Sequence, residues 1–431
     1  MAKPQRKTIL FVIIVTALDT TGLGIIYPIL PQLIEDLANT DISKAATYGG
    51  WLTFAYALMQ FFFAPVLGNL SDRYGRRSVL LISLFGFTID YLFLAFAQNI
   101  VWLFIGRIIA GITGASYSVA AASIADISTD ENRTKNFGYI NAAYSSGLII
   151  GPVIGGLLGQ FGTHIPFIAA AILSFGNFVF GYFVFPDTLE KTNRRKFELK
   201  RANPFGAFKH LSKFPTIITL IIAMFLMAIA GHSMPSVWAY FTIEKFDWNA
   251  ELIGYSLAFL GLLSIIVQSW LVGTLAKRLG DDKMTIFGLL FSIIGYLLIA
   301  FSNVEWLLFP AMVINVIGSV QRTGFQSIIS SQVSKSEQGE LQGGLSSLLG
   351  LATIIAPPLL TMAFTYFTKD KNSDIYFAGA PYLIASFLTI ISLIIMLMNY
   401  KKTKNHSPKK NKKTAKIKRT ATAPPDQKTT A

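Results

Sequence analysis

Gly68–Leu81 reads GNLSDRYGRRSVLL. Its first ten residues hold four charges and two glycines. They separate two long apolar runs, 48–69 and 79–97, in which Asp90 is the one charge. Runs of that length cross a bilayer as helices, so the polar segment between them has to be a tight turn at one membrane face. Gly68 allows close helix approach, and Gly75 permits the positive φ of a short reversal. Asp72 can accept from backbone donors or from an arginine, while Arg73, Arg76 and Arg77 hold the turn on the cytoplasmic side.

Outward from this turn the same pattern repeats. Of 431 residues 52% are apolar and only 14% charged, against about 25% charged in a soluble protein. Apolar runs of roughly 20 residues, each long enough to span a membrane, fall at 8–32, 48–69, 79–97, 101–124, 137–160, 165–185, 215–243, 252–274, 284–302, 306–330, 342–367 and 381–400. The first carries Asp19 at its centre and lacks a small-residue cleavage site, so it reads as a retained span and not a signal peptide. The expected fold class is an all-α polytopic membrane protein with twelve transmembrane helices. The absence of cysteine excludes disulfides, zinc–thiolate sites and thiol catalysis. No metal-ligand spacing, nucleophile motif or P-loop appears, so the chain is not expected to be an enzyme or to hold a cofactor or metal.

The distribution of charge carries more than its total. Residues 401–431 hold eleven Lys or Arg and one acid, Asp426, which accounts for +10 of the formal +14. This tail reads as a disordered basic segment near anionic lipid head groups. Nucleic acid is not an expected partner, because no aromatic residue is interleaved with the lysines. With both termini inside, cytoplasmic segments collect 31 of the 37 Lys and Arg, and the outer loops hold only Lys44, Lys245, Lys369 and Lys371. That bias sets the expected topology in an inner or plasma membrane, both termini cytoplasmic.

The chain is internally repeated. Gly68 in GNLSDRYGRR has a counterpart at Gly273 in GTLAKRLGDD, and Gly138 and Pro152 map at the same offset of 205 to Gly343 and Pro357. Two six-helix bundles in the same orientation imply a pseudo-twofold axis along the membrane normal, with a substrate path between them. The expected divisions are 1–186 for the first bundle, 187–213 for a basic cytoplasmic linker, 214–400 for the second bundle and 401–431 for the tail. In the fifth span Gly147, Gly151, Gly155 and Gly159 recur every fourth residue, with Pro152 beside them. Small residues at this spacing make a flat face for another backbone.

Ionisable residues within spans need a reason. Asp19 lies about eleven residues into the first span, roughly 16 Å deep. It is either a titrating proton or cation site or an acid buried for packing. Asp90 and Arg107 fall at matching depth on consecutive antiparallel spans, roughly 10 Å below the outer surface, and so can form an ion pair. Asp126, closing the fourth span, is within reach of Arg76 or Arg77 as part of a latch.

GNLSDRYGRR matches the signature loop of the major facilitator superfamily, G-x-L-[SA]-D-R-x-G-R-[RK], at every fixed position. GLIIGPVIGG (Gly147–Gly156) resembles an element of that superfamily's drug antiporters. DTTGLGIIYPILPQL (Asp19–Leu33), FAYALMQFFFAPVLGNLSDRYGRR (Phe54–Arg77), GRIIAGITGA (Gly106–Ala115), SIADI (Ser123–Ile127) and QGELQG (Gln338–Gly343) look like the tetracycline/proton antiporters, a similarity that runs through essentially all of residues 8–400. The resemblance implies that Asp19, Asp90 and Arg107 are the transport carboxylates and their basic partner. It also implies that Gln60 and Gln268 line the central cavity and that Asp72 is the loop aspartate.

Two departures bear on the substrate. Ser264 stands where the family has a histidine, and Ser292 where it has an acid. In exchange the chain has His232, beside Gly231 and Pro235 in the seventh span, and Arg322 in the tenth. His232 is either a hydrogen-bonded structural residue or a replacement for the missing titratable one. Arg322 either snorkels to the inner surface or pairs with a loop acid, or else presents a fixed positive charge to the cavity. The expected function is proton-coupled export of a small, mainly apolar compound by alternating access. An organic-anion transporter using Arg322 and a non-transporting sensor or scaffold are the alternatives.

Overall fold

A computed structural model describes residues 3–198, 217–334 and 337–406, and among them the only regular structure is helical. In the first half α1 (Lys3–Ala38), α2 (Ile42–Tyr74), α3 (Arg76–Ala95), α4 (Ile100–Thr113), α5 (Ser116–Ile127), α6 (Arg133–Gly159) and α7 (Ile165–Val184) follow one another. The second half has α8 (Ile218–Gly231), α9 (Ser233–Phe246), α10 (Ala250–Ile266), α11 (Val272–Leu279) and α12 (Asp281–Phe301). It ends with α13 (Leu308–Gly318), α14 (Val320–Ser331), α15 (Gln338–Thr368) and α16 (Ala380–His406). The pairs α4/α5 and α8/α9 each form one span. So do α10 and α11, joined through a π turn at Val267–Leu271.

Eleven expected spans are helices long and apolar enough to cross a bilayer. The tenth differs. It is interrupted at Ser319, and α14 is polar where Gln321, Arg322 and Thr323 follow one another, so neither piece spans alone. The fourth span breaks at the equivalent place: α4 ends at Thr113 and α13 at Gly318, positions that are 205 apart. The repeat therefore extends to its interruptions. It extends also to the polar turns, since Gly75 and Gly280, again 205 apart, both adopt positive φ, at 97° and 75°. Their amides donate to Ser71 O at 3.1 Å and Ala276 O at 3.0 Å. A residue with a Cβ would be strained at either position.

The ends opposite these turns are built from Asn and Asp. Asp41 accepts from the Lys44 amide at 2.8 Å, Asn99 from Val101 at 3.1 Å and Asn249 from Leu252 at 2.9 Å. Each satisfies a backbone donor that a helix start leaves open.

The glycine face of α6 lies on α1. An added methyl at Gly147 would meet Thr20, at Gly151 the Gly24 Cα at 2.7 Å, at Gly155 the Ile25 carbonyl, and at Gly159 the Ile29 side chain. Pro152 packs on Gly24, where a methyl would come within 2.8 Å of the ring. Another face of α6 meets the second half. A methyl at Gly156 would meet Ala250 O at 2.5 Å, and one at Gly254 would run into the Pro152 carbonyl.

The two halves share one apolar core at the Asn39 end, where Ile29, Leu33 and Ala46 join Trp238, Ala250 and Phe364. Toward the Gly75 end the core divides. One cluster there is drawn only from residues 9–185, and two others only from 217–396. Gly68 lies at the parted end. In this conformation a methyl there would find nothing within 4 Å, so no helix approaches it.

Only the start of the expected linker, 187–198, lies within the described residues, and it folds back on the turn. Asn69 donates to Glu198 O at 2.7 Å, and the Arg195 amide to Asp72 O at 3.1 Å. α16 runs to His406, beyond the expected start of the tail at 401, and residues 407–431 lie outside the described residues.

The contact between α6 and α1 predicts a contrast. Gly155→Val should destabilise the chain by about 1–3 kcal/mol, since it drives a branched side chain into backbone. Gly176→Ala, where a methyl meets nothing within 4 Å, should leave the melting temperature unchanged or raise it. Thermal unfolding of both variants in detergent, followed by tryptophan fluorescence, decides this. Equal melting points would show that close approach at Gly155 contributes nothing.

Candidate functional site

The break between α4 and α5 gathers three elements. Its small residues, GITGAS, let the chain leave helical geometry for two residues. Ser116, the first residue of α5, donates to the Asp19 carboxylate of α1 at 2.5 Å. Gln60 of α2 donates to Gly114 O, which the break leaves open, and to the Tyr56 hydroxyl, both at 3.0 Å. Asp19 is 7% exposed, at the heart of the first half, with the buried Tyr91 of α3 packed on Gly22 of the same stretch of α1. Ser116 carries no sequence signal of its own, being one of several small residues in its span.

Seven residues before the break, Arg107 meets Asp90 of α3. Its Nε donates to Oδ1 at 3.1 Å, and Nη2 donates to Oδ2. Asp90 is fully buried and Arg107 nearly so, with its guanidinium also 5.8 Å from the centre of the Tyr56 ring. The two lie side by side, at the matching depth that counting along consecutive spans predicts. A bidentate pair of this kind keeps both charges from being stranded in a low-dielectric interior.

Among the described residues three cavities lie between the halves. A central one of about 210 Å³ is lined by Tyr27, Tyr56, Arg107, His232, Tyr240 and Thr353, among others. Tyr27 and His232 are 205 residues apart, so the repeat places them on equivalent helices facing one space. His232 sits at the break between α8 and α9, with its Nε2 3.3 Å from Thr353 Oγ1.

A larger cavity of about 830 Å³ opens between α6 and α10, lined by Asn141, Ser145, Leu260, Ser264 and Gln268 among mainly apolar side chains. The third, about 310 Å³, separates α2 from α15 and is lined by Gln60, Phe61 and Ser346. Gln60 and Gln268 thus border the inter-half space as expected, but in different cavities. Ser264 lines the largest one. Ser292 is buried and accepts from Gln321 Nε2 at 3.0 Å, so a neutral pair fills its place.

Arg322 is exposed, on a turn of α14 whose neighbouring residues reach Gln268. Gln268 Nε2 is 3.5 Å from Ser319 Oγ, and Thr323 Oγ1 is 3.4 Å from Gln268 Oε1.

At the Gly75 turn the charges pair within the first half. Arg76 binds Asp126 through Nε at 2.9 Å, and Asp72 and the Ser71 hydroxyl through Nη1, both at 2.6 Å. Asp187, at the start of the linker, accepts from the Arg76 amide at 3.0 Å and from Arg194 at 2.6 Å. Arg77 donates instead to Tyr182 O at 2.5 Å, and Arg73 lies 5.0 Å from the Tyr74 ring centre. The capping role of Asp187 was not visible in sequence, because 111 residues separate the partners.

At the opposite end α2 and α15 are joined by hydroxyls. Ser43 bonds Thr368 at 2.7 Å, Thr47 bonds Thr365 at 2.8 Å, and Thr365 also donates to Ser43 O. Gln160 of α6 donates to Glu251 of α10.

Comparison with known proteins agrees with this architecture. The sequence matches the family model of the Major Facilitator Superfamily over residues 11–304 and 262–427. It is 39% identical over 381 residues to the class C tetracycline resistance protein of Escherichia coli, covering 88% of this chain and 96% of that protein. It is 36% identical over 403 residues to the class H protein of Pasteurella multocida, covering 93% and 98%. Among solved structures, a bacterial homolog of the human lysosomal transporter Spinster, inward-facing and occupied, superposes with a TM-score of 0.74. That match is 15% identical and covers 94% of this chain and 98% of that one, a likeness of fold.

Because Asp90 and Arg107 satisfy one another, their substitutions should not be additive. Asp90→Asn alone and Arg107→Gln alone should each cost about 3–5 kcal/mol by stranding a buried charge. The double variant should recover at least 1 kcal/mol of the summed loss, roughly the lower range for contacting residues. Unfolding of all four forms in detergent gives the coupling, and strictly additive losses would refute it.

Proposed function

The chain belongs to the major facilitator superfamily, in its tetracycline-resistance efflux group, and from that premise we propose that it exports a small, mainly apolar compound in exchange for protons. It is an integral membrane secondary transporter and not an enzyme. Alternating access is supported above all by the way the halves meet. They share a core at the Asn39 end and part toward the Gly75 end.

The bias of basic residues puts the Gly75 end, and both termini, in the cytoplasm of an inner or plasma membrane. In that orientation the described conformation is open inward. The bundles 1–186 and 214–400 rock about the central cavity, joined by the linker 187–213, and the basic tail 401–431 rests on anionic head groups.

Gly68, Gly138, Gly273 and Gly343 form two pairs related by the offset of 205, and a methyl at any of them meets nothing within 4 Å. They sit on α2, α6, α11 and α15. These are the same spans whose other ends close the outer side. We assign them the inner closure, in which backbones approach where only glycine fits. The cluster of Asp72, Arg76 and Asp126 fixes the turn that must move with α2 and α3.

Proton coupling is assigned to Asp19. Ionised, its carboxylate accepts from Ser116. Protonated, it carries a donor of its own, and the hydrogen bond that holds the start of α5 is rearranged. Gln60 grips the same break and borders the α2–α15 cavity, so the proton state of Asp19 is passed to a surface the substrate passes. Asp90 and Arg107 hold the other end of that span in place.

Asp19→Asn keeps the shape of the protonated acid but cannot titrate. Gradient-driven accumulation into inside-out vesicles should fall to background, while exchange without a gradient persists. Full accumulation by the variant would remove Asp19 from the coupling. The chain has no cysteine, so G68C/G343C and G138C/G273C report closure without background. Both pairs should cross-link readily with a short bifunctional reagent only when outward opening is populated. Cross-linking unaffected by gradient or substrate would contradict the rocking motion.

A further inference from the structure

The central cavity holds about 210 Å³. Sites that enclose a whole small molecule run to roughly 300–1,000 Å³, so this one has room for only one end of a substrate. Tyr27 and Pro235 line both it and the 830 Å³ cavity between α6 and α10, and the two spaces therefore meet across these side chains. The larger space is mainly apolar and suits the body of a ligand. The smaller one has a different chemistry.

Its polar groups are mostly donors that the protein itself does not satisfy. Arg107 of α4 gives Nε and Nη2 to Asp90, while Nη1 has no acceptor among the described residues and is left open to the cavity. Tyr240 of α9 is only 5% exposed, and its hydroxyl has no partner among the described residues. That hydroxyl lies against Gly49 of α2, where an added methyl would collide with it, and Gly49 lines the same cavity. The Tyr56 hydroxyl accepts from Gln60 and so keeps its own proton to give. His232 is engaged with Thr353. Among the described residues no carboxylate and no side-chain amide lines the cavity. A buried donor without an acceptor costs free energy, so whatever enters is favoured if it brings one. Asp90 already neutralises Arg107, and an ionised ligand group would find no further counter-charge in the lining, at a high desolvation cost.

We propose that the central cavity is the head-group site of the exported compound: it takes an uncharged end bearing a carbonyl-type oxygen, which accepts from Arg107 Nη1 and the Tyr240 hydroxyl, while the apolar body lies past Tyr27 in the cavity between α6 and α10. The inference rests on the export reading and adds a chemical class to it. Arg107 thereby serves twice, holding α3 through Asp90 with one side of its fork and the substrate with the other.

The test uses the purified full-length chain in detergent and two tricyclic compounds that differ in one group, 9-fluorenone with a carbonyl and fluorene with a methylene. Equilibrium dialysis against the same micelles without protein gives each affinity. The chain should bind fluorenone at least about tenfold more tightly than fluorene, as a charge-assisted hydrogen bond implies. Tyr240→Phe removes only the hydroxyl and should weaken fluorenone about threefold or more while leaving fluorene unchanged. Arg107→Met combined with Asp90→Asn keeps the interior neutral and should remove most of the remaining preference. Should that double variant fail to fold, Tyr240→Phe decides alone.

A wild-type chain that binds neither compound, or binds fluorene as tightly, overturns the proposal. So does a Tyr240→Phe variant in which both affinities fall by the same factor, the mark of a merely structural role, or in which neither changes. Export is read separately, by adding fluorenone to energised inside-out vesicles and following the pH gradient with an acridine dye. A gradient no more disturbed than in vesicles lacking the chain, with the carbonyl preference intact, would sink the export reading and leave the head-group site standing.

Discussion

Helices in a bilayer gain nothing from leaving lipid for one another except packing and hydrogen bonds, so the approach of one backbone to another decides where they hold. In this chain α6 supplies two such surfaces. Gly147, Gly151, Gly155 and Gly159 bring it onto α1, and Gly156 with the Pro152 carbonyl brings it onto α10 of the other half. The first contact extends along the helix and belongs to the bundle. The second runs from Gly156 and Gly254 as far as Gly261, which packs on Ile149, and ties the halves together there. Because the tie is local, the space beyond it is free to widen into the cavity lined by Asn141, Ser145 and Gln268. The cavity is thus a consequence of where glycine stops serving the second half.

The closed end adds no ion pair to this tie among the described residues. Its polar links are hydroxyls of Ser43, Thr47, Thr365 and Thr368, and the amide of Gln160 on Glu251. The hydroxyl links contribute roughly 0.5–1.5 kcal/mol each, because water offers the same hydrogen bonds on opening. An interface meant to come apart is better served by many such contacts than by a buried ion pair, whose separation strands both charges. The strong pairs, Asp90–Arg107 and Arg76–Asp126, lie inside the first half. Each keeps its bundle rigid, and neither opposes the movement between bundles.

What the sequence disclosed depends on the range of the interaction. The spans and the Gly75 turn follow from local composition, and the matching depth of Asp90 and Arg107 follows from counting along two consecutive helices. The glycine face of α6 was visible, though not that it would meet α1. The partner of Asp19 was hidden, since a serine among alanines and glycines has no pattern. Asp187 was hidden because its contact spans 111 residues. Gly68 meets no helix here for a different reason. Its surroundings belong to a conformation, and a sequence encodes every conformation of the cycle at once, whereas the structure describes one.

The interruption of the tenth span separates architecture from chemistry. α4 ends at Thr113 and α13 at Gly318, so both bundles break at the same place, and the break belongs to the repeated scaffold. What borders it has diverged. In the first bundle the break holds Ser116 against an acid, with Gln60 on the freed Gly114 carbonyl. In the second the position equivalent to Ser116 is Gln321, which bonds Ser292, and the next residue is Arg322. A titratable carboxyl occupies one side of the pseudo-twofold axis. A neutral pair beside a permanent cation occupies the other. At the break itself only the first side holds a group that can change its charge. One backbone plan, used twice, thereby carries two different chemistries.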